Sequence, residues 1–135
     1  MLDISKLQTL FEPLFPGLLG VELQEAEKDL VQATMKIRPD LCSGVGSAHW
    51  GALVGLAQTL GAVGSVLNLP ENYRTKTLST NTQFHAEAPA GDTVTAVCVP
   101  DLITEDRMIW KTRITNNADE LCAEITQTQE VFPEA

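Results

Sequence analysis

Residues 49–67 constrain the fold more than any other part of the chain. The run is apolar on all sides of a helical wheel, so a helix there must be buried over most of its surface. It contains Gly51, Gly55, Gly61 and Gly64, each costing about 1 kcal/mol against alanine in a helix interior. Glycines kept at that cost predict that another backbone approaches closely, from a curved sheet or from a second copy of the helix. Pro70 and Asn72 mark the exit.

The flanking sequence predicts what surrounds this helix. Ile4, Leu7, Leu10 and Phe11 have the spacing of a short amphipathic helix, ended by Pro13 and by Pro16 with Gly17. Residues 19–26 and 30–37 read as two strands joined by a turn at Glu27, Lys28 and Asp29. Four further strands are expected over residues 76–84, 93–99, 108–115 and 121–131, separated by clusters of turn formers. In the third of these, Met108, Trp110, Thr112 and Ile114 share one face, while Lys111 and Arg113 lie on the other. One helix cannot cover six strands unless the sheet curls around it. The expected class is therefore α+β, with residues 1–135 forming one domain.

Nine basic against eighteen acidic residues give a net charge of −9, which repels nucleic acid and anionic lipid. Neither is expected as a partner. The one cluster of cations with a use is Arg74 and Lys76, candidate contacts for an anionic ligand or else a solvated loop. No apolar run reads as a membrane span, and the opening Met1, Leu2, Asp3 has no basic segment, so a cytoplasmic location is expected. Cys42, Cys98 and Cys122 are odd in number and widely spaced, the pattern of reduced thiols with no metal site.

The segment before the helix carries the chemistry. Ser43 to Gly46 is a glycine-rich turn that runs through Ser47, Ala48 and His49 into Trp50 and Gly51. The free N–H groups of a helix start reached through such a turn suit an anion or an oxyanion. Nine residues after His49 comes the polar Gln58 in an otherwise apolar run.

This order of elements resembles the hotdog fold, and the residues resemble the thioesterase superfamily of the PaaI-like, phenylacetyl-CoA type. That family's signature is Asn-x-x-Gly-x-x-His-Gly-Gly, followed by Asp or Glu nine residues after the histidine. Ser43, Gly46, His49, Trp50, Gly51 and Gln58 occupy those positions here, and residues 77–84 followed by Pro89 to Asp92 resemble the family's central strand and its turn. The resemblance implies a curved antiparallel sheet of about six strands around the long helix. It also implies hydrolysis of an acyl-CoA thioester, with coenzyme A present only as part of the substrate. A homodimer with two interface sites follows, or a dimer of dimers. The implied roles are a carbonyl-polarising N–H at Trp50, a water-activating group at position 58, and a hydroxyl near the water at Thr77. Ser43, Gly46 and Gly51 would shape the substrate loop. Three positions depart from the signature: serine for asparagine at 43, tryptophan for glycine at 50 and glutamine for a carboxylate at 58. The Arg-Pro often found after the central strand is unmatched at Ala86 and Glu87.

Geometry adds a constraint. Positions 50 and 58 are separated by about 12 Å along a helix rising 1.5 Å per residue, so one carbonyl cannot touch both on one chain. A symmetric dimer with antiparallel helices supplies the second from a neighbour. Trp50 keeps its N–H, while its indole shapes an acyl pocket, plugs it or packs at an interface. Gln58 cannot exchange a proton, and general-base catalysis worth about 10²–10⁴-fold is lost with the carboxylate. It can orient a water, or simply be satisfied by its neighbours. His49 reads as a structural residue bonding loop carbonyls, with a base as the alternative. A nucleophilic Cys42–His49 couple lacks a third orienting residue. The expectations are an acyl-CoA thioesterase with an altered site or, as the alternative, an inactive hotdog dimer that binds acyl thioesters or acts as a scaffold. A hotdog dehydratase would need a carboxylate for His49, which the sequence does not make evident.

Overall fold

The computed structural model describes residues 3–44 and 46–135; the Met1–Leu2 opening and Val45 of the glycine turn lie outside the described residues. Helix α1, Ile4–Phe11, is capped by Asp3, whose carboxylate accepts from the Lys6 N–H at 2.9 Å. It buries Leu7 and Phe11. A second helix, α2 (Phe15–Leu19), follows where the sequence predicted only a break. Pro16 falls in its first turn, where a missing N–H breaks no helical bond, and Gly20 ends it at φ 83° in the left-handed region. Strand β1 therefore begins at Glu22 (Glu22–Glu27) rather than at residue 19.

The remaining elements are β2 (Leu30–Lys36), a single 3-10 turn (Pro39–Leu41), α3 (Trp50–Leu67), β3 (Tyr73–Phe84), β4 (Thr93–Ile103), β5 (Arg107–Thr115) and β6 (Leu121–Pro133). The six strands form one sheet in the order β1-β2-β4-β5-β6-β3, with every neighbouring pair antiparallel. Helix α3 touches all six, as the expected wrapping requires. This is the hotdog arrangement. Strand β4 runs past the predicted end through Pro100, tolerated because the register shifts between Pro100 and Leu102.

By length and a mean hydropathy of 1.4, α3 meets the description of a membrane span, which corrects the reading that no run does. In this fold it is instead the core of the sheet. Leu53, Leu56 and Leu60 are fully buried, as are Val31, Ala33 and Met35 of β2 and Trp110 and Ile114 of β5. The glycines of α3 also need correction. They admit side chains of the same chain rather than a second backbone. A Cβ on Gly61 would lie 2.3 Å from the Gln127 Oε1, and one on Gly64 2.6 Å from the Trp110 ring. Trp110 seats there because its indole N–H donates to the Ser65 hydroxyl at 2.9 Å. The glycines therefore carry no argument for a dimer.

Strand β3 is an edge strand, paired with β6 on one side only. A bulge between Thr77 and Ser79 changes its parity. Thr75 and Thr77 before the bulge, and Thr80 after it, consequently all face α3 and the inner side of β6.

Candidate active site

The glycine turn is pinned from both sides. His49 N–H donates to the Leu41 carbonyl and Ala48 N–H to the Ala88 carbonyl, both at 2.8 Å, and Ala90 N–H donates to the Gly46 carbonyl at 3.0 Å. Gly46 itself takes φ 82°, which favours glycine. His49 is the N-cap of α3: its Nδ1 accepts from the Gly51 N–H at 2.8 Å. With Nδ1 accepting this bond, Nε2 is left as the nitrogen of the ring that can donate. The same bond occupies the Gly51 N–H. For the Trp50 N–H, at the first helical position, no partner is found among the described residues. The Trp50 indole stacks on Phe84 with centroids 4.4 Å apart. Ser43, His49 and Trp50 line a cavity of about 280 Å³ here, together with Glu87.

Gln58 and Thr77 lie elsewhere. They line a second cavity of about 470 Å³ between α3 and the N-terminal helices, and it shares no lining residue with the first. The Gln58 amide donates to the Thr80 hydroxyl at 3.1 Å, which leaves its Oε1 free to accept. Behind this wall are two fully buried glutamines of β6 that sequence reasoning missed, Gln127 and Gln129. The Thr75 hydroxyl donates to Gln129 Oε1 at 3.3 Å, and Gln129 Nε2 donates to the Thr77 hydroxyl at 3.0 Å. Thr77 thus keeps its own proton to donate. Gln127 Nε2 reaches the Gln58 carbonyl at 3.4 Å, while its Oε1 is buried without a partner. The sequence did hold a signal for this pair: both share the parity of Ile125 and Val131, the core face of β6.

Arg74 and Lys76 belong to strand β3, not to a loop. They alternate with Thr75 and Thr77, so they occupy the opposite face, where both flank the Phe132 ring and Lys76 pairs with Glu130 at 3.7 Å. The sequence left His49 without a carboxylate; the structure brings Glu87 to its cavity, held by the Asn116 amide on the Glu87 carbonyl at 3.0 Å. Cys42 donates to the Arg38 carbonyl at 3.4 Å and has no bond to His49. Burial pushes the Cys98 thiol up to about 11, and burial, with Glu120 and Asp92 nearby, also raises Cys122. Both thiols stay protonated and inert at neutral pH.

Comparison with known proteins agrees with this architecture. Residues 45–123 match the family profile described as the thioesterase superfamily. A thioesterase of Haemophilus influenzae superposes with a TM-score of 0.91 at 25 % identity, covering 98 % of this chain and 92 % of its own. The Escherichia coli PaaI protein from the phenylacetic acid degradation operon aligns at 0.81 and 19 % identity, covering 89 % of this chain and 85 % of its own. A Streptococcus mutans protein solved bound to acetyl CoA aligns at 0.78 and 18 % identity, covering 84 % of this chain and 90 % of its own.

Proposed function

This chain belongs to the thioesterase superfamily, and from that membership we propose that it hydrolyses an acyl-CoA thioester at a site shared between two copies of the chain. One observation carries the reading. The residues that would serve one thioester are divided between two cavities that have no residue in common, with Trp50 and His49 in one and Gln58 and Thr77 in the other. Each chain then offers two half-sites. The free edge of β3, twelve residues long, is a template for pairing with another copy. Antiparallel pairing there about a two-fold axis turns the family's central strand into the middle of a continuous sheet. It also sets α3 antiparallel to its partner, so the start of one helix faces the middle of the other.

In that site the Trp50 N–H of one chain donates to the thioester oxygen as negative charge develops on it. His49, with its proton on Nε2, adds a second donor. On the other chain, Gln58 Oε1 accepts a hydrogen bond from water and the Thr77 hydroxyl donates one to it, which orients the water without deprotonating it. Water adds to the carbonyl carbon, one of its protons then passes through solvent to the departing sulfur, the C–S bond breaks, and the products are the carboxylic acid and coenzyme A as the thiol. The rate comes from orientation and oxyanion stabilisation, and a slow enzyme is expected. The acetyl CoA held by a structural neighbour supports the ligand class. The absence of a carboxylate at Gln58 favours the second reading, an inactive dimer that binds acyl thioesters.

The two readings separate when release of free coenzyme A is followed across short, aromatic and long acyl-CoAs, beside sedimentation at micromolar concentration. Slow turnover by a dimer is expected. Binding without turnover of any substrate supports the inactive dimer, and turnover by a monomer overturns the shared site.

A further inference from the structure

Resting on the thioester reading above, we propose that the cavity beneath the N-terminal helices is the acyl pocket, and that it selects uncharged acyl groups of about ten carbons. The cavity holds about 470 Å³, within the range of small-molecule sites, and Leu7, Phe11 and Phe15 wall it on one side against Ala62, Val63 and Val66 of α3. Leu7, Phe11 and Val63 form a buried floor, while Phe15, Ala62 and Val66 are exposed at the rim, so the space is an open groove with an apolar floor. Among the described residues no charged side chain lines it. Thr59 lines it too, but its hydroxyl is spent on the Gly55 carbonyl at 2.7 Å. The polar groups left to meet a ligand are Gln58 and Thr77, the two already assigned to the thioester.

An occupant must therefore have one polar end and an apolar body, as an acyl thioester does. Its length follows from the wall. Gln58 and Val66 are eight residues apart, about 12 Å along α3 at 1.5 Å per residue. A zigzag chain advances about 1.25 Å per carbon, the tetrahedral projection of a 1.52 Å bond. The slot thus takes about ten carbons before the chain emerges at Val66, itself exposed. A second copy of the chain is the competing occupant, but a subunit contact gives no reason for the two free polar groups of the groove to be the ones assigned to the thioester.

The test is a series of saturated acyl-CoAs from acetyl to palmitoyl, with Ala62→Phe to shorten the slot. The kcat/KM is expected to rise about fourfold per methylene buried and to level off near ten carbons. Ala62→Phe should lower the decanoyl-to-butyryl ratio of kcat/KM at least tenfold. A flat series, or an unchanged ratio in the folded variant, overturns the proposal. Decanoate binding, followed by titration calorimetry, stands apart from turnover. If no acyl-CoA is hydrolysed yet decanoate binds, and Ala62→Phe weakens it, the hydrolase reading fails while the pocket stands. A variant that changes the sedimenting mass instead marks the slot as a subunit contact and overturns the proposal.

Discussion

Replacing Trp50 by proline removes one backbone N–H and little else that the fold needs. Proline at the first position of a helix is favoured, because its N–H has no intrahelical partner and its fixed φ is already helical. It also forces the preceding residue into extended backbone. His49 is already there, at φ −58° and ψ 134°. The cost to folding is then the stack of Trp50 on Phe84, worth about 0.5–1.5 kcal/mol beyond the area it buries. Trp50→Ala loses the same stack but keeps the N–H, which makes the pair of variants an internal control. Loss of one oxyanion donor typically costs 10²–10³ in kcat, about 2.7–4 kcal/mol of transition-state stabilisation. Release of coenzyme A from decanoyl-CoA, measured on both variants at temperatures well below their melting points, should therefore be about 10²–10³ slower for proline than for alanine. If the two rates agree within a few-fold, the Trp50 N–H is not the oxyanion donor.

Gln58→Glu restores a base at the length of the native side chain, and Thr80 can answer by turning its hydroxyl from acceptor to donor. A kcat increase of about 10²–10⁴ is expected, with a rate that falls on the acid side as the new carboxylate protonates; a folded variant at the wild-type rate would show that position 58 lies away from the water. Cys98 makes the folded protein sensitive to alkali. Its thiol, raised to about 11 in the fold, stays protonated while the unfolded chain ionises near 9, so the unfolded state binds fewer protons and stability falls as pH rises between those values. The loss is at most about 3 kcal/mol and becomes small below pH 8, from about two pKa units at 1.36 kcal/mol each. Urea unfolding of wild type and Cys98→Ala at pH 8 and 11 checks it, and equal losses in the two proteins would refute it.

The elements that were legible in the sequence are those whose periodicity is set by one neighbour. β5 alternates because one face meets α3, and α3 is apolar all round because six strands enclose it. What escaped depended on partners distant in sequence. Helix α2 was hidden because Pro16 and Gly17 read as breakers, although proline in a first turn and glycine before a left-handed Gly20 are compatible with a helix. The glycines of α3 signalled close approach, but not that a glutamine and an indole from the sheet would fill the space. In the candidate site, the glycine turn and Gln58 stood out as local anomalies. Gln127 and Gln129 were passed over because two glutamines in a strand look like surface until the parity of the strand is counted.

That parity also bears on how the shared site would assemble. Without the bulge between Thr77 and Ser79, strict alternation would put Thr77 and Thr80 on opposite faces of β3. With it, the hydroxyl assigned to the water and the hydroxyl that holds the Gln58 amide face the same helix. The same strand ends at Phe84, against which the Trp50 of its own chain is stacked. A single strand thus fixes the polar wall of one cavity and braces the helix start beside the other. If two copies pair along this edge, the register of that one pairing sets the distance between the Trp50 N–H and the facing Gln58 in both sites at once. A slip of one residue would turn the strand's faces over. On the shared-site proposal the catalytic geometry is a property of the paired edge rather than of either chain, in keeping with Trp50 and Gln58 lining separate cavities in the single chain.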